Sequence, residues 1–118
     1  MTRAENAINY IELPMTDADA IIMFYETVFG WQFQRWGESY ISFSGAGVDG
    51  GFNGDDDAFV QAPGALVILY SGDLEKKREQ IKVAGGTIKR DIYPFPGGRR
   101  FHFTDPSGNE LAIWSDQD

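Results

Sequence analysis

The sequence has no cysteine among its 118 residues, which excludes disulfides and thiolate metal sites. It has one histidine, His102. No run of about 18 apolar residues occurs, so no membrane-crossing helix is expected. The opening MTRAENAINY has no apolar stretch of signal-peptide type, and a soluble cytoplasmic protein is the expectation. Basic residues are scarce: 10 Lys and Arg stand against 18 Asp and Glu, a net charge of −8. Such a surface repels a phosphate backbone, which argues against a nucleic-acid partner. It is compatible with a cationic ligand, or with solubility alone.

Hydrophobic residues make up 42% and aromatics 14% of the chain, enough for one real core. Two independent cores would each be marginal at this length, so a single domain over 1–118 is expected. Ala7–Leu13 alternates with period two and reads as a strand ended by Pro14. Thr16 then caps a helix in which Ile21, Phe24, Tyr25 and Val28 form one apolar stripe, and Gly30 stops it. Short strands follow at Trp31–Arg35, at Tyr40–Phe43 and around Gly51 and Phe52; Asp55, Asp56 and Asp57 read as an exposed connector.

The pattern then repeats. Ala65–Tyr70 is strand-like, Gly72 and Asp73 open a second helix, and Gly85 and Gly86 close it. Thr87–Ile92 is a strand, Pro94–Gly98 a loop, and Arg99–Thr104 with Glu110–Ser115 a hairpin around the turn Asp105–Asn109. The chain thus divides into two strand–helix–strand–strand–strand modules, about 1–58 and 64–118.

Three stretches carry a family likeness: Ile8–Leu13, Phe24–Tyr25 through Phe29–Gly30–Trp31, and Phe101–Leu111 with its Asp105-Pro106-Ser107-Gly108-Asn109-Glu110-Leu111. With them the chain resembles the vicinal-oxygen-chelate superfamily of glyoxalases, bleomycin-resistance proteins and extradiol dioxygenases. The resemblance implies an α+β fold in which two βαβββ modules make a cup-shaped, half-closed mixed sheet with helices on its outer face. It also implies a ligand in the cup and a homodimer. Metal-dependent members hold a divalent ion through His and Glu on four strands. The matched positions here are Tyr10, Leu66 (or Ala65), Ala112 and one within Gly50–Asn53. Tyr, Leu and Ala offer a hard ion no usual ligand set, so neither a metal nor another cofactor is expected. A shifted set of Glu12, His102 and Glu110 is the remaining way to hold an ion.

Parity then sorts side chains by face. If Tyr10 faces the cup, so does Glu12; if Ala112 does, so do Glu110 and Trp114. His102 lies ten residues before Ala112, where the superfamily's ring-cleaving dioxygenases look similar and carry a functional tyrosine. The resemblance implies that His102 faces the cup with Arg100, and Phe52 and Leu66 are expected as apolar walls. His102 beside Glu12 or Glu110 could act as a general base, or it packs between Phe101 and Phe103 as structure. Glu12 either makes a structural bridge with Arg100 or His102, or meets a ligand or moves a proton. Tyr10, Phe52 and Trp114 offer flat surfaces to a ligand, or simply fill the core.

Two functions follow. One is a metal-independent small-molecule binder of the glyoxalase/bleomycin-resistance type, sequestering a cationic or aromatic ligand. The other is a metal-independent lyase or isomerase acting next to a carbonyl, with His102 or Glu12 as proton carrier.

Overall fold

The computed structural model describes residues 5–6, 8–55 and 64–117. The chain divides into two compact units, Met1–Val60 and Gln61–Asp118. The first holds β1 (Tyr10–Pro14), α1 (Ala18–Phe29), β2 (Gln32–Arg35), β3 (Tyr40–Ser44) and β4 (Asp49–Asn53). The second holds β5 (Val67–Tyr70), α2 (Leu74–Val83), β6 (Thr87–Phe95), β7 (Gly98–Thr104) and β8 (Glu110–Ser115). Each is therefore a βαβββ module. The sheet orders are β1-β4-β3-β2 and β5-β8-β7-β6. In each, the first strand pairs in parallel with the last and the other neighbours are antiparallel, so both sheets are mixed. Ala7, Asp56, Asp57 and the joint at 58–63 lie outside the described residues. No helix among the described residues is long and apolar enough to cross a membrane.

The helix α1 starts one residue later than Thr16 suggests. Asp17 is the cap: its extended backbone leads in, and its carboxylate accepts the Ala20 N–H at 3.2 Å. Gly30 ends the helix at φ 73°, a left-handed turn in which its N–H reaches the Glu26 carbonyl. The stripe Ile21, Phe24, Tyr25 and Val28 is buried, each large side chain contributing about 1.5–3 kcal/mol. Against it lies an aromatic cluster on one face of the sheet. Trp31 stacks on Tyr25 and on Phe43, each with centroids 4.6 Å apart, and Phe52 lies 5.2 Å from Tyr25. An ion pair from Arg35 to Asp19 ties β2 to the helix. Trp31 is thus core, whereas Trp36 is exposed and donates to Ser42 Oγ at 2.9 Å.

In the second module Asp73 caps α2 by accepting the Lys76 N–H at 3.1 Å. Leu74 and Ile81 are buried beneath it, and Arg99 on β7 pairs with Glu75 at 2.7 Å. The buried Phe101, Phe103, Leu111 and Ile113 share the face of Arg99 by strand parity and register. The Asp105 carboxylate organises the last turn, accepting N–H bonds from Ser107 and Asn109 at 2.8 and 3.0 Å.

One element departs from the sequence reading. Pro94–Gly98 is not a loop: β6 runs on through Pro94 to Phe95 and turns tightly at Pro96 and Gly97 into β7. Pro94 is tolerated because β6 is the outer strand of its sheet. Gly98 is required there, since at φ 152° a Cβ would stand 2.0 Å from the Ser115 carbonyl oxygen.

Candidate functional site

Each sheet has one face under its helix and one open face. In the first module register puts Tyr10, Glu12, Tyr40, Ser42, Gly51 and Asn53 on the open face. The Tyr10 and Tyr40 hydroxyls meet at 2.5 Å, and Asn53 Nδ2 donates to Glu12 Oε2 at 3.4 Å. The hydroxyl pair stands in the space over Gly51, where a Cβ would lie 2.2 Å from Tyr40 Oη and 2.6 Å from Tyr10 Oη. Desolvation, then bonds to Tyr10 and Glu12, push the Tyr40 phenol well above its ordinary value of 10.0.

Phe52 is a correction. It is fully buried within the aromatic cluster under α1 and is no wall of an open site. Two glycines precede it, so the sequence carries no alternation to fix its phase; the pairing Leu13↔Phe52 puts it on the helix side.

The second module gathers more chemistry. Pairings Arg100↔Trp114, His102↔Ala112 and Thr104↔Glu110 put these residues on one face, with Ile68 and Tyr70 of β5 beside Ala112 and Trp114. Leu66 is half-buried just before β5. Buried His102 is held at both ring nitrogens: Nδ1 lies 2.9 Å from Glu110 Oε2, and Nε2 lies 2.9 Å from the Tyr93 hydroxyl. Arg100 donates its Nε–H to that same hydroxyl oxygen. A carboxylate only accepts, so the imidazole proton sits on Nδ1 and Nε2 accepts from Tyr93. Lys89 approaches the other Glu110 oxygen at 3.8 Å, and the Arg90 guanidinium lies 3.6 Å over the Tyr93 ring. Next to this line is an open cleft of about 400 Å³, walled by Ile68, Phe95, Gly97, Arg100 and Trp114. Phe95 and Tyr70 both meet Trp114 edge-on.

Tyr93 escapes a reading by parity, and the register explains why. From Arg90 to Tyr93 the β6 chain advances three residues while β7 advances two, from His102 to Arg100. One residue is bulged out, and with it Tyr93 comes to the face of Arg90 and His102 instead of the helix side. A second shift lies between Ile88 and Arg90.

The superfamily's metal does not fit these residues. Tyr10 is engaged with Tyr40, Gly51 has no side chain, Asn53 is bonded to Glu12, and Leu66 and Ala112 carry no donor. Among the described residues no group of three or more His, Cys, Asp or Glu could hold an ion.

A family model for the Glyoxalase/Bleomycin resistance protein/Dioxygenase superfamily matches residues 7–113. Among solved structures, the chain is similar to a glyoxalase/bleomycin resistance protein/dioxygenase family enzyme from Burkholderia phytofirmans PsJN. The identity is 18% and the TM-score 0.78, over 92% of this chain and 97% of that one. A glyoxalase-related enzyme from Fulvimarina pelagi is 20% identical with a TM-score of 0.78, over 93% and 88% of the two chains. Lactoylglutathione lyase from Agrobacterium tumefaciens is 18% identical with a TM-score of 0.69, over 95% of each. A search of curated proteins returns no match. At these identities the structures speak for the fold, while the family model spans nearly the whole sequence. The chain belongs to the glyoxalase/bleomycin resistance protein/dioxygenase superfamily.

Proposed function

We propose that this chain is a metal-independent small-molecule binding protein that takes an aromatic ligand on the open face of its second module. The cleft of about 400 Å³ between Ile68, Phe95, Gly97, Arg100 and Trp114 carries the reading. Its size suits a small organic molecule, and its mix of apolar walls with one convergent polar group is what such sites require. A second hollow of about 390 Å³ in the first module, at Tyr10, Gln34, Ser42 and Asp49, is richer in polar side chains and offers an aromatic ligand less. The guanidinium of Arg100 repels a cation. The reading therefore keeps the aromatic half of the sequence expectation and gives the ligand a neutral or anionic polar end.

Calorimetric titration with 2-naphthoate, 2-naphthaldehyde and 2-naphthylmethylammonium tests this. The first two are expected to bind, and Trp114→Ala to weaken them at least tenfold, about 1.4 kcal/mol. Binding indifferent to Trp114→Ala sinks the proposal; preference for the ammonium returns the site to Glu12 and a cationic ligand.

The two modules are taken as halves of one domain, in a cytoplasmic homodimer. Exposed Met23, Trp36, Tyr70 and Val83 supply apolar surface for association. Light scattering should then give twice 13.2 kDa.

A second reading, a metal-independent lyase or isomerase acting beside a carbonyl, is favoured by one observation. The bonded series Arg100–Tyr93–His102–Glu110 joins the cleft to a histidine oriented by a carboxylate. It supports His102 over Glu12 as the site of proton traffic.

A further inference from the structure

We propose that Tyr93 is the acid–base catalytic residue of the second module's open face, exchanging the proton next to the carbonyl of an aromatic ketone or aldehyde. The proposal rests on the second reading above and names the group that would touch the substrate. His102 does not suit direct contact: it is buried, and both its nitrogens are taken. The hydroxyl it faces belongs to half-buried Tyr93, and Arg100 is common to that hydroxyl and to the cleft. Nothing in strand parity requires this meeting. It is made by the bulge between Arg90 and Tyr93, and bulges beside functional sites re-aim side chains.

The proton inventory closes without an oxidant or a metal. At rest Tyr93 holds its proton toward His102 Nε2, and His102 Nδ1 holds the other toward Glu110. The phenol proton moves to Nε2, leaving a phenolate and an imidazolium paired with Glu110. The phenolate takes the proton from the carbon next to the substrate carbonyl. The C–H electron pair becomes the enolate double bond, and the carbonyl oxygen takes up the negative charge at Arg100. The proton now on the Tyr93 hydroxyl exchanges with water. Return of the water-derived proton from Tyr93 to carbon restores the carbonyl, and the imidazolium returns its proton to Tyr93. While negative charge sits on the phenolate, the Arg100 Nε–H points at its oxygen and the Arg90 guanidinium lies 3.6 Å over its ring. Charges fixed in place before the transfer act in this way on a transition state. Lys89 and Glu110 pair on this face, and Asp116 accepts from the Tyr70 hydroxyl at 2.6 Å beside Trp114. Arg78 and Asp91 pair with each other across α2 and β6.

The test uses the full chain and 2-indanone, a rigid aromatic ketone, in D2O, reading loss of the benzylic proton signal by NMR. Wild type is expected to exchange at least a hundredfold faster than buffer, a typical general acid–base contribution. Tyr93→Phe, which keeps the ring under Arg90, should fall to the buffer rate while 2-indanone affinity and Tm hold. Glu110→Gln, a positioning change, should slow exchange about tenfold with affinity unchanged. His102→Gln supplies an independent check should Tyr93→Phe fold poorly, and it too should lose exchange. Wild-type exchange at the buffer rate despite binding overturns the role of Tyr93 and leaves the binding reading standing. Exchange that survives in Tyr93→Phe or His102→Gln overturns the proposal as well. Failure of 2-indanone to bind overturns the substrate class, while the naphthyl series judges the binding reading separately.

Discussion

Two neighbouring glycines of β4 answer to different masters. A Cβ on Gly50 would stand 2.1 Å from the Ile11 carbonyl oxygen and 2.4 Å from the Phe43 ring, both inside the sheet and its aromatic cluster. Gly50→Ala should therefore destabilise the protein by at least the 1–3 kcal/mol typical of overpacking, read as a drop in Tm. Gly51→Ala meets only the ends of two tyrosines, which can swing away. It should cost less stability while breaking the Tyr10–Tyr40 bond. That bond has an alkaline signature. Because the Tyr40 phenol is raised above 10.0 by desolvation and by its two neighbours, the unfolded chain ionises there first. The stabilisation it gives is whole below pH 10 and is lost as pH climbs through the folded value. Absorbance titration should find Tyr40 ionising late, together with Tyr70, which its hydrogen bond to Asp116 also holds above the ordinary value, and Tyr10→Phe should bring the Tyr40 step earlier. Parity put Tyr10 with Glu12, and Glu110 with Trp114, because β1 and β8 run without interruption. The family likeness set His102 and Arg100 beside Glu110, since the parity of one strand does not fix the face of its neighbour. Phe52 was misread where glycine removes the alternation, and Tyr93 was not legible because a bulge changes the count.

At the level of elements, α2 is tied to its sheet by two ion pairs, Glu75–Arg99 and Arg78–Asp91. The Arg99 guanidinium holds the Glu75 carboxyl below its usual range; the Ile92 N–H and then Arg78 do the same for Asp91. A depressed carboxyl contributes stability above its unfolded value and loses it as pH falls through the folded one. Below about pH 4 the hold on α2 should weaken, and Glu75→Gln with Asp91→Asn should flatten the acid side of a Tm–pH curve. Both carboxyls are exposed, so the effect is small and salt should reduce it. An unchanged acid limb would show that neither pair matters. The helices were readable because their apolar stripes and glycine stops are local signals. The hairpin at Pro96 and Gly97 was not, since Pro94 marks a break unless its strand is known to be an outer one.

For the whole molecule, a module of this size is a marginal folder by itself. Calorimetry of the full chain should show one transition with equal calorimetric and van't Hoff enthalpies, and residues 1–60 alone should be unfolded. Two separated transitions would make the modules independent domains. The repeat that fixes this architecture was plain in the sequence, because both copies keep the order strand, helix, three strands. The two irregularities of β6, together with Pro94, have a further effect. An outer strand whose ladder is broken twice, and which lacks an N–H at a third place, is a poor template for a strand from another molecule. The distortion that carries Tyr93 to His102 thus also protects this edge from fibre-like growth. A deletion that straightened β6 would be expected to turn Tyr93 away from His102 and to make the protein prone to aggregate.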